Sequence, residues 1–195
     1  MYACRLVLMT MVTALILSGL GCAGTQTAPV PTATPEKLVN NQRAIQDYTM
    51  GIKQDPSRAD TYKSRGDRYF RIGQFEQAIQ DYDRAVELDL GDANAYNHRG
   101  SAYSHIGRYQ RAIQDYDQAI NLEPGLADAY NNRGTAYFYL GHDQRAIENV
   151  DQAIRLNPDF ANAYFNRGTI YDFLDELKKG RSDLDKACRL SSEYC

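Results

Sequence analysis

A segment of 34 residues recurs four times in this chain, with no insertion or deletion between the copies. The copies occupy residues 59–92, 93–126, 127–160 and 161–194, and the second, ANAYNHRGSAYSHIGRYQRAIQDYDQAINLEPGL, is the most regular. A fixed period of this length is typical of repeat proteins, in which each unit buries its apolar face against its neighbours. The chain is therefore predicted to be a stack of four similar units.

Two sets of residues within each repeat have helical spacing. With the first alanine as position 1 (Ala59, Ala93, Ala127 and Ala161), every copy has Tyr at positions 4 and 11 and Gly at position 8. These positions share one face of a first helix, and small or apolar residues at positions 20, 24 and 27 share one face of a second. Gly73, Gly107 and Gly141 favour a turn between them. Each repeat is therefore predicted to be a pair of antiparallel helices, and the fold to be all-α.

The glycine at position 8 is predicted to mark a close approach of the two helices. Glycine inside a helix costs up to about 1 kcal/mol relative to alanine. Overpacking a site that has no room for a side chain costs about 1–3 kcal/mol, so glycine is favoured where the helices meet. The four residues with this structural role are Gly66, Gly100, Gly134 and Gly168.

This pattern resembles the tetratricopeptide repeat (TPR), a 34-residue helix–turn–helix unit. The small residue at position 8, the aromatic residues at 4, 11 and 24, Ala at 20 and 27, and Pro near 32 carry the resemblance. It implies an α-solenoid of antiparallel helix pairs that forms a right-handed superhelix. Residues 38–58 resemble a preceding half repeat, and the polar second helix of the fourth repeat, 161–195, is expected to cap the stack.

Charged residues recur in this chain at positions where this family usually has other residue types. Position 7 is Arg in all four repeats instead of Leu, position 25 is Asp, and position 23 is acidic except at Asn149. We predict an Arg–Asp contact between the two helices of a repeat, or with the next repeat; a solvated charged surface is the alternative. The residues concerned are Arg65, Arg99, Arg133, Arg167, Asp83, Asp117, Asp151 and Asp185.

The amino terminus is predicted to be a secretory signal. Residues 1–21 contain Arg5 as their only charge and an apolar run too short to span a bilayer. Together with Cys22 they resemble a bacterial lipoprotein signal, although Gly19 stands where that family usually has Leu. The resemblance implies a lipid on Cys22 and, because Ala23 is not acidic, an outer-membrane location facing the periplasm. An ordinary cleaved signal and an uncleaved anchor are the alternatives.

Residues 22–37 are predicted to form a lipid-anchored tether between this signal and the half repeat. The stretch is rich in Thr, Ala and Pro, and Pro29, Pro31 and Pro35 are expected to prevent a helix. Such a tether would hold the folded domain away from the membrane surface.

No motif of a catalytic or metal site is present in the sequence. It has no HExxH, no paired Cys at zinc spacing and no phosphate-binding Gly loop, so we predict no enzyme, no cofactor and no metal. A formal net charge of −3 disfavours nucleic-acid binding, which requires clustered Lys and Arg. Cys188 and Cys195 are a candidate disulfide, with free thiols or an intermolecular bond as alternatives.

The resemblance also implies a binding site. In TPR arrays the first helices line a concave groove, and positions 2, 5, 9, 12 and 13 face it. The candidate residues are Asp60, Lys63, Asp67, Asn94, Asn97, Ser101, Asp128, Asn131, Thr135, Phe138, Tyr139, Asn162, Phe165 and Phe173. Amide side chains suit an extended peptide backbone, and the aromatic side chains suit apolar anchors. Only Lys63 and Arg71 are basic here, so a clamp for carboxylate tails is not expected; ordinary solvated positions are the alternative.

Together these features predict a non-enzymatic adaptor or scaffold of the bacterial cell envelope. Its partner would be an envelope protein or a peptide segment of one, and its only membrane contact would be the lipid anchor. Two alternatives are an assembly factor or pilotin for a secretin or type IV pilus, and a periplasmic small-ligand or metal binder.

Overall fold

The computed structural model describes residues 35–195; the predicted signal peptide, Cys22 and nearly all of the predicted tether lie outside the described residues. In the described part, α-helices follow one another without a strand. They are α1 (Pro35–Gln54), α2 (Ala59–Arg71), α3 (Phe75–Leu88), α4 (Ala93–His105), α5 (Tyr109–Leu122), α6 (Ala127–Tyr139), α7 (Asp143–Leu156), α8 (Ala161–Phe173) and α9 (Leu177–Leu190), followed by a 3₁₀ turn, Ser192–Tyr194.

The helices α2 to α9 form four hairpins with identical helix lengths, 13 residues for each first helix and 14 for each second. Every helix packs on the helix before it and the helix after it, and the first helices of neighbouring repeats also touch. This arrangement is the all-α TPR solenoid that the repeat pattern predicts.

The amino-terminal helix begins earlier than the sequence suggests. The predicted tether extends to residue 37, with Pro35 preventing a helix, and that boundary is wrong because α1 starts at Pro35. Proline is tolerated at the first helical position, since the amide that it lacks would have no partner within the helix. The 20 residues of α1 pack against α2 and begin the stack.

The turns inside the first three hairpins have the same geometry. Gly73, Gly107 and Gly141 lie in the left-handed region, with φ of 77°, 74° and 81°. In the fourth hairpin Asp175 takes this place with φ of 61°, a conformation that Asp adopts more readily than most residues other than glycine. The repeat therefore keeps its turn where glycine is missing.

The two helices of each hairpin meet at position 8. A Cβ atom at Gly100 would lie 2.7 Å from the ring of Tyr116 and 3.1 Å from the carbonyl oxygen of Ala112. At Gly134 it would lie 2.9 Å from the carbonyl oxygen of Ala146. Because backbone atoms of the second helix cannot move aside cheaply, a side chain here would push the hairpin apart.

The core is a row of small clusters between successive helices. The side chain at position 24 fills each of the first three hairpins: Tyr82 and Tyr116 are each 1% exposed and Val150 is fully buried. Alanines surround these large side chains, for example Ala112 and Ala136 around Tyr116. Each repeat thus depends on its neighbour for burial.

The predicted Arg–Asp contacts are confirmed, and they join repeats as well as helices. Arg99 donates from Nε and Nη2 to both carboxylate oxygens of Asp115 in its own repeat, at 2.9 and 2.6 Å. It also donates from Nη1 to Asp83 of the preceding repeat, at 2.8 Å. Arg167 makes the same contacts with Asp183 and Asp151. Position 23 therefore pairs within a repeat, and position 25 pairs with the next repeat.

The remaining two arginines use amide or hydroxyl partners in part. Arg133 donates to Asn149 at 2.7 Å and to Asp117 at 2.5 Å. Arg65 pairs with Asp81 and donates to Thr49 of α1, at 3.1 Å. A continuous ladder of charged hydrogen bonds thus runs from α1 to α9. We call it the Arg ladder.

Candidate functional site

The first helices α2, α4, α6 and α8 touch one another along the stack, which places them on its inner side. Their side chains at positions 2, 5, 9, 12 and 13 form the surface that we call the groove. At position 2 the side chains are exposed along its whole length: Asp60, Asn94, Asp128 and Asn162. These four residues lie where a partner segment can reach them.

Position 5 has a different role from the one predicted for it. Asn97 and Asn131 are only 5% and 1% exposed, so their assignment to the binding surface is corrected. Asn132 donates from Nδ2 to Oδ1 of Asn97 at 3.1 Å, and Asn166 donates likewise to Asn131 at 2.9 Å. Buried amides require such partners, and here the partner is the next repeat. These asparagines therefore fix the spacing of neighbouring first helices.

The hydroxyl groups at position 9 belong to the same network. Ser101 donates to the carbonyl oxygen of Asn97 at 3.0 Å, and it accepts from Asn132 at 3.4 Å. Thr135 likewise donates to the carbonyl oxygen of Asn131, at 3.1 Å, and accepts from Asn166, at 3.4 Å. Both hydroxyls are half-buried, so the groove floor is largely satisfied by its own hydrogen bonds.

The acid at position 9 of the first repeat, Asp67, sits in a cluster with Tyr82 and His98. Tyr82 donates its hydroxyl to Asp67 at 2.8 Å, and Nδ1 of His98 lies 2.9 Å from the same carboxylate oxygen. Burial acts to raise the pKa of Asp67, but the close contact with His98 and the hydrogen bond from Tyr82 outweigh it and lower the pKa below its usual value. Asp67 is therefore held as a carboxylate.

The one basic residue at position 5 is already paired. Lys63 Nζ lies 2.5 Å from Asp92, whose other oxygen accepts from the backbone of Ala95 and caps α4. Burial acts to lower the pKa of Lys63, but the contact with Asp92 outweighs it and raises the pKa. Asp60 also lies 3.6 Å from Lys63 Nζ, but its side chain is 82% exposed, and Asp128 is exposed too. The open charges at position 2 are thus acidic.

Aromatic side chains form a strip at the carboxyl end of the first helices. Tyr139, 48% exposed, stacks on Tyr109 with ring centroids 4.9 Å apart. Phe138 packs edge-on against Phe173, 5.2 Å away, and Phe173 is 42% exposed. We call Tyr109, Phe138, Tyr139 and Phe173 the aromatic strip.

Sequence reasoning missed Tyr109, because it belongs to a second helix. The available signal was the aromatic residue at position 17, directly after the turn, which is Phe75 in the first repeat and Tyr109 in the second. In the structure, position 13 stacks on position 17 of the preceding repeat: His105 on Phe75 at 4.6 Å, and Tyr139 on Tyr109.

The carboxyl terminus folds back onto the groove. The sulfur atoms of Cys188 and Cys195 are 2.11 Å apart, a disulfide bond that closes the chain over the 3₁₀ turn. This brings Tyr194 onto Phe165, with ring centroids 5.0 Å apart. Phe165, a candidate groove residue, is therefore partly covered by the chain itself.

No group of three or more His, Cys, Asp or Glu in residues 35–195 is placed to hold a metal ion. Among the helices of this same part, none combines the length and the apolar character needed to cross a membrane.

Family models match the chain over most of the repeat region. The model described as TPR repeat matches residues 66–107 and 105–141, and two models described as tetratricopeptide repeat match 127–160 and 150–188. This chain belongs to the tetratricopeptide repeat family.

Solved TPR structures resemble the chain. A crystal structure of MamA is 30% identical, over 81% of this chain and 92% of that one, with a TM-score of 0.69. The first TPR of Spaghetti (RPAP3) bound to the HSP90 peptide SRMEEVD is 26% identical, over 60% and 93%, with a TM-score of 0.58. YrrB, described as a TPR protein with an unusual peptide-binding site, is 19% identical over 80% and 81%, with a TM-score of 0.62, and shares the fold. A comparison with curated proteins found no match.

Membership of this family, whose solved members include TPR domains that bind peptides, supports a protein-interaction adaptor with a protein as its partner.

Proposed function

We propose that this chain is a non-enzymatic adaptor of the bacterial cell envelope, which holds an extended segment of a partner protein in its groove. The observation that carries the proposal is the exposed row at position 2, at the amino ends of the first helices, together with the aromatic strip at their carboxyl ends. Asn94 and Asn162 offer amide donors and acceptors to a peptide backbone, and Tyr139 and Phe173 offer contact area to an apolar side chain.

The charges of the groove favour a neutral or basic segment. Asp60, Asp128 and Asp172 are exposed, and Lys63 is paired with Asp92, which leaves Arg71 as an exposed base against three exposed acids. A groove of this kind repels an acidic segment and steers a basic one. The acidic peptide bound by the first TPR of RPAP3 is thus a poor guide to the partner of this chain.

The envelope location rests on the sequence of residues 1–22. An apolar run from Leu6 to Leu20, followed by Gly21 and Cys22, supports lipidation of that cysteine and export from the cytoplasm. A metabolic label with a palmitate analogue tests it: the Cys22→Ser variant loses the label and the matched Cys4→Ser variant keeps it. A label that persists on Cys22→Ser rules out this anchor.

The groove is tested by photo-crosslinking in cells. A photoreactive amino acid at Asp128 should capture a defined protein, and the same amino acid at Gln118, exposed on the second helix α5, should not. The Tyr139→Ala variant should lower the yield at Asp128, since it removes an exposed ring of the aromatic strip. Equal yields from both sites would refute the groove assignment.

The captured protein also separates this proposal from the pilotin hypothesis, which requires a secretin or pilus subunit as the partner.

A further inference from the structure

The Arg ladder ends with an unfilled position at the carboxyl end of the stack. Asp83, Asp117 and Asp151 at position 25 each accept a hydrogen bond from the arginine of the next repeat, at 2.8, 2.5 and 2.6 Å. Asp185 holds this position in the fourth repeat and is exposed. No first helix follows α9 in residues 191–195, so in the described part of the chain no arginine at position 7 of a next repeat lies beside Asp185.

The carboxyl half of α9 is covered by the tail of the chain. Val86 and Ile120, at position 28, are buried against alanines of the next first helix. The fourth repeat has Cys188 at this position, and its disulfide with Cys195 draws the tail over the helix. The tail thus replaces the beginning of the missing first helix.

The amino half of α9 has no such cover. Leu177 at position 17 is 64% exposed, whereas Tyr109 at the same position of repeat two stacks beneath Tyr139. A hollow of about 560 Å³ opens here, which we call the end face. It is lined by Asp172, Leu177, Lys178, Arg181, Leu184 and Asp185.

The end face is unsuited to a further repeat of the inner kind. At position 21, Ile79 is 8% exposed and packs with Ala102 of the next first helix, but the fourth repeat has Arg181 there. An apolar helix laid on α9 would remove the water around the charges of Arg181 and Asp185, which is costly. An occupant that brings a carboxylate for Arg181 and a base for Asp185 offsets this cost.

The charges of α9 complement a second copy of α9. Arg181 and Asp185 lie one turn apart and line the same hollow, and neither forms an ion pair with another described residue. When two copies of α9 pack antiparallel across a two-fold axis, Arg181 of each copy faces Asp185 of the other. Lys178 adds a positive charge near the amino end of each α9. The dipoles of two antiparallel helices also attract each other.

We propose that the end face is a docking site for a second copy of this chain, with α9 packed antiparallel on α9 across a two-fold axis. Such a contact is isologous and closes as a dimer. It involves little more than one face of a 14-residue helix, so the area is at the small end for protein interfaces and the dimer is weak. The end face shares Asp172 with the carboxyl end of the groove, whereas the exposed row at position 2 lies at the amino ends of the first helices, away from the end face.

Sedimentation of the full chain in density-matched detergent tests the dimer over a range of concentrations. Asp185→Arg and Arg181→Asp each place like charges opposite one another twice, and each should weaken dimerisation roughly tenfold or more. An equimolar mixture of these two variants should regain the dimer to within about threefold, because every contact in the mixed pair is again between opposite charges. Arg189→Asp reverses an exposed charge outside the hollow and should leave the dimer unchanged.

Three results would overturn the proposal. One is a monomer at every concentration up to about 1 mM, a range in which even weak specific contacts are seen. Another is self-association that Asp185→Arg does not weaken, which would locate the contact elsewhere in the chain. The third is a mixture of the two variants that stays monomeric. Circular dichroism of each variant shows that the helices are intact, and crosslinking at Asp128 tests the groove independently.

Discussion

The second and fourth repeats share the same helix lengths and the same arginine and glycine, yet they differ in what covers their second helix. In repeat two, α6 covers α5, and Tyr116 and Ile120 are 1% and 8% exposed. In repeat four a disulfide-bonded tail covers half of α9, and Leu177 remains 64% exposed. The comparison shows that the hairpin is specified within one repeat, whereas burial depends on the neighbour.

The largest expected effect comes from breaking the Arg ladder inside the stack. Arg99→Ala leaves the buried carboxylate of Asp115 and the half-exposed one of Asp83 without their partner. Removing one member of a buried ion pair costs about 3–5 kcal/mol, and partial exposure of Asp83 lowers this to about 2–4 kcal/mol of the free energy of unfolding. Urea denaturation measures it. The matched Arg181→Ala at the end face should change stability by less than about 0.5 kcal/mol; a similar loss in both would contradict the comparison.

A somewhat smaller loss is expected from filling the helix contact of repeat two. Gly100→Ala puts a Cβ atom 2.7 Å from the Tyr116 ring, and overpacking of this kind costs about 1–3 kcal/mol. The control is Gly125→Ala, in a turn where a Cβ atom meets nothing within 4 Å. Thermal unfolding compares the two, and a stabilised Gly100→Ala would show that the contact has room for a methyl group.

The disulfide should matter at the end of the stack and not in its middle. Opening a loop this short by Cys195→Ser removes about 2 kcal/mol of stabilisation in the chain-entropy account. Since repeats interact only with their neighbours, faster hydrogen exchange should appear in α8 and α9, with α4 and α5 unchanged. Faster exchange spread evenly over α2 to α9 would contradict this local role.

The smallest effect is expected at the amino end of the groove, on lowering the pH. The folded pKa of Asp67 is below its usual value of 3.8, so its contribution is present above that value and is lost as the pH falls through the folded pKa. Asp67→Asn should therefore make acid unfolding below about pH 4 less steep, by less than about 1 kcal/mol because the carboxylate is partly solvated. The exposed Asp60→Asn is the control. Equal slopes in Asp67→Asn and the unmodified chain would refute the cluster.

Sequence reasoning succeeded where a contact repeats with the period. The tyrosines and glycines at positions 4, 8 and 11 define the helix pairs, and the arginine at position 7 indicated an acidic partner. It did not decide which acid: Asp115 at position 23 pairs within the repeat, and Asp83 at position 25 pairs across the junction. Positions 23 and 25 are two residues apart and point to different sides of the second helix, and the sequence of one repeat does not show which side faces the arginine.

The groove was harder to predict, because a polar residue on the correct helix face can point at a partner or at the next repeat. Asn94 is exposed, but Asn97, one turn away, is buried and bonded to Asn132. Asn97 and Asn132 are 35 residues apart in the sequence, so their hydrogen bond forms only when two repeats are stacked.

The sequence by itself determined the all-α architecture, the number of full repeats and the position of each turn, since these follow from spacing within 34 residues. Only the tertiary structure decided which polar side chains are used up between repeats, how Tyr109 joins the aromatic strip, and how the end of the stack is closed. These features depend on which helix lies beside which, and α9, which no further helix follows in residues 191–195, shows its end face for that reason.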